Sequence, residues 1–165
     1  MNPVVASKVQ APVRPDATWT PLLEISSKEV FQIMLQTELS NLPFVGEQRI
    51  SGDTTAMVGL AGALRGVLSI RCNSRTAERI AGRMLGSEED VHPSEVPDAL
   101  AEICNMVAGN FKAKIAGLVD NCMLSVPTVI RGDDYELVTI ADVELITVGL
   151  TYEESPIWFC LAIHR

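Results

Sequence analysis

The centre of the chain reads Asp98-Ala-Leu-Ala-Glu102-Ile-Cys-Asn105-Met-Val-Ala-Gly109-Asn110. At 100° per residue, the apolar side chains of this segment and of the residues after it fall on one stripe of a helix. The stripe consists of Leu100, Ile103, Cys104, Val107, Phe111, Ile115 and Leu118. This pattern predicts a long amphipathic helix over about residues 94–117 that buries one side.

The opposite side of the helix is a candidate functional surface. Glu102 and Asn105 lie three residues apart, so their side chains are neighbours, with Asp98 one turn before them. The two carboxylates repel each other slightly, which favours a cationic partner. The residues around the pair are too small to shield it from a partner. They are Ala101, Gly109, Ala113 and Ala116. The spacing alone is weak evidence, since it recurs in Glu38 and Asn41 at the predicted end of another helix.

Composition excludes several classes of function. The 165 residues are 47% hydrophobic and 21% charged, which is typical of one globular domain with a real core. The net charge of −8 repels phosphate backbones, so we expect no nucleic-acid partner. The longest uncharged apolar run, residues 56–64, is far shorter than the roughly 20 residues that span a membrane. The N-terminus lacks the pattern of a secretory signal, and we expect a cytoplasmic protein.

The residues that usually bind metals or form covalent intermediates are scattered. Four cysteines form no C-x-x-C pair, and the two histidines are far apart, so neither a metal site nor a disulfide framework is predicted. Gly59, Gly62 and Gly66 do not match a phosphate-binding loop and are better explained by a tight hairpin. The chain has no G-x-S-x-G motif that would indicate a serine hydrolase.

The order of predicted elements indicates an α+β layered sandwich, in which helices cover a mainly antiparallel sheet. The proline-containing residues 1–21 are predicted to be a flexible leader before a domain over 22–165, with Trp19 either a docking anchor or a partly exposed aromatic. A capping box at Ser26 opens a helix to about Asn41, and Ser74 caps another that ends at Gly86. Strands are predicted over residues 54–61, 67–72, 123–130, 137–151 and 157–164.

A faint internal repeat accompanies this order. Val58-Gly59-Leu60 and Val148-Gly149-Leu150 each precede a turn and a further apolar strand. Two helix-and-hairpin halves would explain the similarity, although so short a match also arises by chance.

In the residues of its central helix, the chain resembles the CheX branch of the CheC/CheX/FliY chemotaxis phosphatase family. That family carries an acidic residue or serine, then Glu, then Asn three residues later, and a proline somewhat over twenty residues further on. Here these residues are Asp98, Glu102, Asn105 and Pro127. The resemblance covers nearly all of the chain after the leader.

The resemblance implies that the protein hydrolyses the aspartyl phosphate of a CheY-like receiver domain. Asn105 would hold the attacking water, and Glu102 would pair with the receiver's lysine. The receiver would supply Mg²⁺, so the chain would need no cofactor of its own. The resemblance also implies a homodimer formed through the sheets. The docking surface would include Asp98, Ala101, Gly109 and Lys112.

Two alternatives keep the fold and lose the catalysis: a receiver-binding adaptor, and a structural module of the flagellar-switch type. Retention of both Glu102 and Asn105 favours a phosphatase, because an adaptor does not need the amide. The first predicted helix has Glu29 and Gln32 at similar spacing, with Gln in place of Asn. We therefore expect one active centre per chain.

Overall fold

A computed structural model describes residues 13–43, 49–87, 90–133, 135–138 and 142–164. Within these ranges the helices are α1 (Trp19–Leu35), α2 (Ser74–Leu85) and α3 (Glu95–Ala113). The strands are β1 (Ser40–Asn41), β2 (Thr54–Gly62), β3 (Gly66–Cys72), β4 (Cys122–Leu124), β5 (Thr128–Arg131), β6 (Val143–Tyr152) and β7 (Ser155–His164).

All strands join one antiparallel sheet in the order β1-β6-β7-β3-β2-β4, and β5 also pairs with β2. Alternate side chains of the central strands, such as Leu68, Ile70 and Phe159, are fully buried in the core. On the helical side, α3 packs on β2 and β3, and α1 packs on β6 and β7. The predicted α+β sandwich with an antiparallel sheet is confirmed.

The sheet order agrees with the predicted internal repeat. Each half of the chain contributes one long hairpin, β2–β3 or β6–β7. The two hairpins meet at the centre of the sheet, where β3 pairs with β7. The Val-Gly-Leu runs 58–60 and 148–150 lie on the corresponding strands β2 and β6. The outermost strands are exchanged, because β1 of the first half pairs with β6 and the β4–β5 segment of the second half pairs with β2.

The first helix begins and ends earlier than predicted. It starts at Trp19, inside the segment predicted to be a leader. Just before the helix, the side chain of Asp16 accepts a hydrogen bond from the Thr18 amide and holds the turn that leads into it. The predicted capping box was wrong, since Ser26 is buried within the helix. The helix ends at Leu35, and the capping residue Gln36 has a left-handed φ of 51°. The predicted helix end at residues 38–41 instead contains β1.

Trp19 is a buried anchor, only 2% exposed, and its ring meets Phe111 of α3 edge-on at 5.6 Å. Before it, the amide of Val13 donates to the carbonyl of Ala63 at 3.0 Å. Residues 13–21 therefore pack on the domain, and residues 1–12 of the predicted leader lie outside the described residues.

Three further predicted boundaries differ from the structure. The cap of α2 is Asn73, whose side chain accepts from the Thr76 amide, and not Ser74. The strand predicted over 123–130 is two strands, because Pro127 offers no amide to a ladder and the pairing with β2 shifts by one residue there. The strand predicted over 137–151 begins at Val143; residues 137–138 are not in a strand, and 139–141 lie outside the described residues.

Candidate functional site

The buried face of α3 matches the predicted stripe. Leu100, Ile103, Cys104, Val107 and Phe111 are fully buried between the other helices and the sheet. The Cys104 thiol lies against the carbonyls of β2 and β3 residues, at 3.5 Å from the oxygen of Ala56. Burial raises the pKa of Cys104 to about 12, so this thiol is not a thiolate nucleophile at neutral pH.

The other face of α3 presents the predicted pair to solvent. Asp98 and Glu102 are exposed, and Asn105 is half-buried. Within the described part of the chain, none of these three side chains forms a hydrogen bond or ion pair. Because all three residues lie on one face of the same helix, the helical backbone fixes their relative positions. Carboxylate and amide atoms are thus held in a known arrangement and remain available to a partner.

Ala101 and Gly109 keep this surface low, as predicted. Both are half-buried, and apart from the backbone of its own helix a Cβ built on Gly109 would meet no described atom within 4 Å. Packing within the described part of the chain therefore does not require a glycine at 109, which leaves the close approach of a partner as a reason for its small size.

Lys112 completes the face at the last turn of α3. It is half-buried, and its ammonium group donates to the carbonyl of Cys122 at the start of β4. The helix was predicted to reach residue 117 but ends at Ala113. The amide of Lys114 bonds to the carbonyl of Phe111, which tightens the last turn, and Gly117 adopts a left-handed φ of 86°. Ala116, predicted beside the pair, therefore lies beyond α3.

The corresponding surface of α1 is engaged within the chain. Glu29 accepts from the Lys114 ammonium at 2.6 Å and from the Asn110 amide at 3.0 Å. Gln32 and Glu29 line a shallow surface cavity. The carboxylate in the first half of the molecule is already paired with an internal cation, whereas Glu102 is not. Sequence reasoning missed the contacts of Asn110 and Lys114, because their partner lies more than eighty residues away.

The Glu29 pair predicts a small pH dependence of stability. The hydrogen bonds from Lys114 and then Asn110 hold the pKa of Glu29 below its usual range. The stabilisation is therefore complete above the ordinary glutamate pKa of about 4.3 and is lost as the pH falls through the lowered folded-state pKa. We expect Glu29→Gln to lower the free energy of unfolding at neutral pH by at most about 1 kcal/mol, since the pair is partly exposed. Urea unfolding of both proteins checks this, and a difference that persists unchanged in strong acid would contradict it.

The described residues offer neither a cluster of metal ligands nor a membrane-spanning helix. No group of three or more His, Cys, Asp and Glu residues is positioned to hold a metal ion among the residues that the structure describes. In the same residues, none of the helices combines the length and the apolar character needed to cross a membrane.

Comparison with known proteins agrees with the fold and with the family that the sequence resembles. The sequence model of the family described as "Chemotaxis phosphatase CheX" matches residues 54–151. The chain is similar to the CheY-P phosphatase CheX of Thermotoga maritima, with 25% identity over 112 residues that cover 67% of this chain and 72% of the relative.

Solved structures of other proteins share the fold. The chemotaxis protein CheX from Vibrio vulnificus has a TM-score of 0.75 and 23% identity, over 92% of this chain and all of that one. A CheX-CheY-BeF3-Mg²⁺ complex from Borrelia burgdorferi has a TM-score of 0.73 and 24% identity, over 92% of this chain and 100% of the matched chain. The matched range contains Glu102, Asn105 and Pro127, on which the resemblance was based. The chain belongs to the chemotaxis phosphatase CheX family.

Proposed function

We propose that the protein hydrolyses the aspartyl phosphate of a CheY-like receiver domain, with the outward face of α3 as its active surface. The observation that carries the proposal is the pair Glu102 and Asn105, whose polar atoms have no partner within the described residues and adjoin the open surface at Gly109. The family assignment supports a phosphatase, and the named activity of the relative from Thermotoga maritima supports phosphorylated CheY as the class of substrate.

In the proposed mechanism, Asn105 enters the receiver's site and its side-chain amide orients a water molecule in line with the phosphorus. Attack by this water forms a phosphorus–oxygen bond and breaks the bond to the aspartate oxygen, which releases inorganic phosphate and the receiver's carboxylate. Phosphoryl transfer depends mainly on position and electrostatics, so a helix with no nucleophile of its own is sufficient. The buried, neutral Cys104 is consistent with a water nucleophile.

Glu102 is proposed to pair with the receiver's lysine and to fix the docking register one turn from Asn105. Asp98, Ala101, Gly109 and Lys112 form the rest of the proposed docking surface. We propose that Mg²⁺ arrives with the receiver and that the chain binds no cofactor of its own; the similar complex from Borrelia burgdorferi contains Mg²⁺ together with CheY. A cytoplasmic location is also proposed, supported by four free thiols that suit a reducing compartment.

The direct test measures the loss of phosphate from a purified, phosphorylated CheY-type receiver with and without this protein, together with binding of the receiver to it. Catalytic amounts of the protein are expected to accelerate the loss with multiple turnovers. Binding without acceleration would favour the receiver-binding adaptor. Absence of both with every receiver of the source cell would contradict the proposal.

We also propose a homodimer that forms through the face of the sheet opposite the helices. That face carries apolar side chains, with Leu145 58% exposed on β6 and the half-buried Met57 on β2, and both line one broad surface cavity. Leu145→Glu is expected to convert a dimer into a monomer, because a carboxylate buried without a partner is strongly unfavourable. Light scattering after size-exclusion chromatography measures the mass, and Glu144→Gln on the same strand is a control. A monomeric wild-type protein at micromolar concentration would contradict this prediction.

A further inference from the structure

The charges on the outward face of α3 are ordered along the helix. Asp98 and Glu102 carry negative charge in its N-terminal half, the neutral Asn105 and Gly109 follow them, and Lys112 is positive in its last turn. With a rise of 1.5 Å per residue, Glu102 lies about 4.5 Å along the axis from Asn105, and Lys112 lies about 10 Å from it in the other direction. A partner centred on Asn105 therefore meets opposite charges at its two ends.

Lys112 differs from its neighbour Lys114 in one respect that matters for docking. The charge of Lys114 is neutralised by Glu29 at 2.6 Å. Lys112 instead donates to the carbonyl of Cys122, which holds the ammonium group in place and leaves its net charge. Within the described part of the chain, no acidic side chain forms an ion pair with Lys112. The outward face of α3 therefore ends in the positive charge of Lys112, which is held in place and has no acidic partner within the described residues.

We infer that Lys112 determines which receivers dock and in which orientation. It would pair with an acidic side chain on the receiver about 10 Å from the phosphoaspartate, on the side opposite the lysine that meets Glu102. Two pairs of opposite sign on either side of the phosphoryl group favour one orientation, and like charges meet if the receiver is reversed. This inference rests on the proposed function and adds to it the class of receiver surface that is selected.

The test compares variants that separate the charge of Lys112 from its hydrogen bond. Lys112→Gln keeps a donor for the Cys122 carbonyl without the charge, Lys112→Arg keeps both, and Lys114→Gln removes a neighbouring charge that is already neutralised. Receiver dephosphorylation is measured over a range of receiver concentrations at low and high salt. Lys112→Gln is expected to raise KM roughly fivefold at low salt with kcat unchanged and with a weaker salt dependence. Lys112→Arg and Lys114→Gln are expected to keep the wild-type KM within about twofold.

The outcomes distinguish this inference from the proposed function. If the wild-type protein accelerates dephosphorylation and Lys112→Gln has the wild-type KM and salt dependence, the inference is overturned while the function stands. An equal rise of KM in Lys114→Gln also overturns the inference, because the rise then comes from the loss of one positive charge anywhere on the surface and not from Lys112 itself. A wild-type protein without activity overturns both.

Discussion

Replacement of Asn105 by Ala is expected to lower kcat for receiver dephosphorylation by roughly 10²–10³-fold, the loss seen when one positioned hydrogen-bonding group is removed from an active site. The amide would no longer hold water in line with the phosphorus, whereas the docking contacts at Glu102 would persist, so KM should change little. The melting temperature should stay within a few degrees of wild type. Asn105 forms no hydrogen bond within the described residues, and removing it leaves no buried group unpaired.

Asn110→Ala is the matched control, since it removes the same chemical group five residues further along α3. Asn110 donates to Glu29 and faces α1, so this variant is expected to lose a little stability and to keep kcat. Asn105→Asp adds a second test: it preserves the shape but offers a negative charge to the phosphoryl group, and it should be as inactive as the Ala variant. Full activity of Asn105→Ala, or a large drop in its melting temperature, would contradict the role proposed for this side chain.

The second large effect is expected at Glu102. Glu102→Ala should lower kcat/KM by roughly 30-fold, mainly through KM, because truncation of one partner of a desolvated charge pair costs about 2 kcal/mol or more. The exposed side chain makes no ion pair within the described residues, so stability should be unchanged. Glu29→Gln is the control on α1, where the carboxylate is already neutralised by Lys114.

A double-mutant cycle assigns the Glu102 effect to its proposed partner. The receiver's lysine is replaced by Ala, alone and together with Glu102→Ala, and kcat/KM is measured for each combination. If the two groups contact each other, the combined loss will be clearly smaller than the product of the single losses. Fully multiplicative losses would contradict the proposed pairing and leave Glu102 with a different role.

The central helix could be predicted from sequence because its information is local. A stripe with helical period fixes which side is buried, and all seven predicted residues, from Leu100 to Leu118, are buried in the structure. The same periodicity fixes the outward face, so Glu102 and Asn105 could be identified before any tertiary contact was known.

The ends of elements depended on contacts that local patterns do not contain. Ser26 has the chemistry of a helix cap but is buried in α1, whose start is stabilised by packing of Trp19 on Phe111. Likewise β1 is a two-residue strand that exists because β6 offers it a partner. The break at Pro127 could have been read from the sequence, since proline is a poor residue for the middle of a paired strand.

The exchanged outer strands give a structural role to the first half of the molecule, which carries Gln32 in place of the asparagine of the second half. Because β1 pairs with β6 and the β4–β5 segment pairs with β2, neither half completes its own sheet, and each requires an edge supplied by the other. The two halves are thus interlocked and form one cooperative folding unit. Removal of the first half would expose an edge of the sheet in the second, so α1 and its hairpin serve as the scaffold that holds α3 in place.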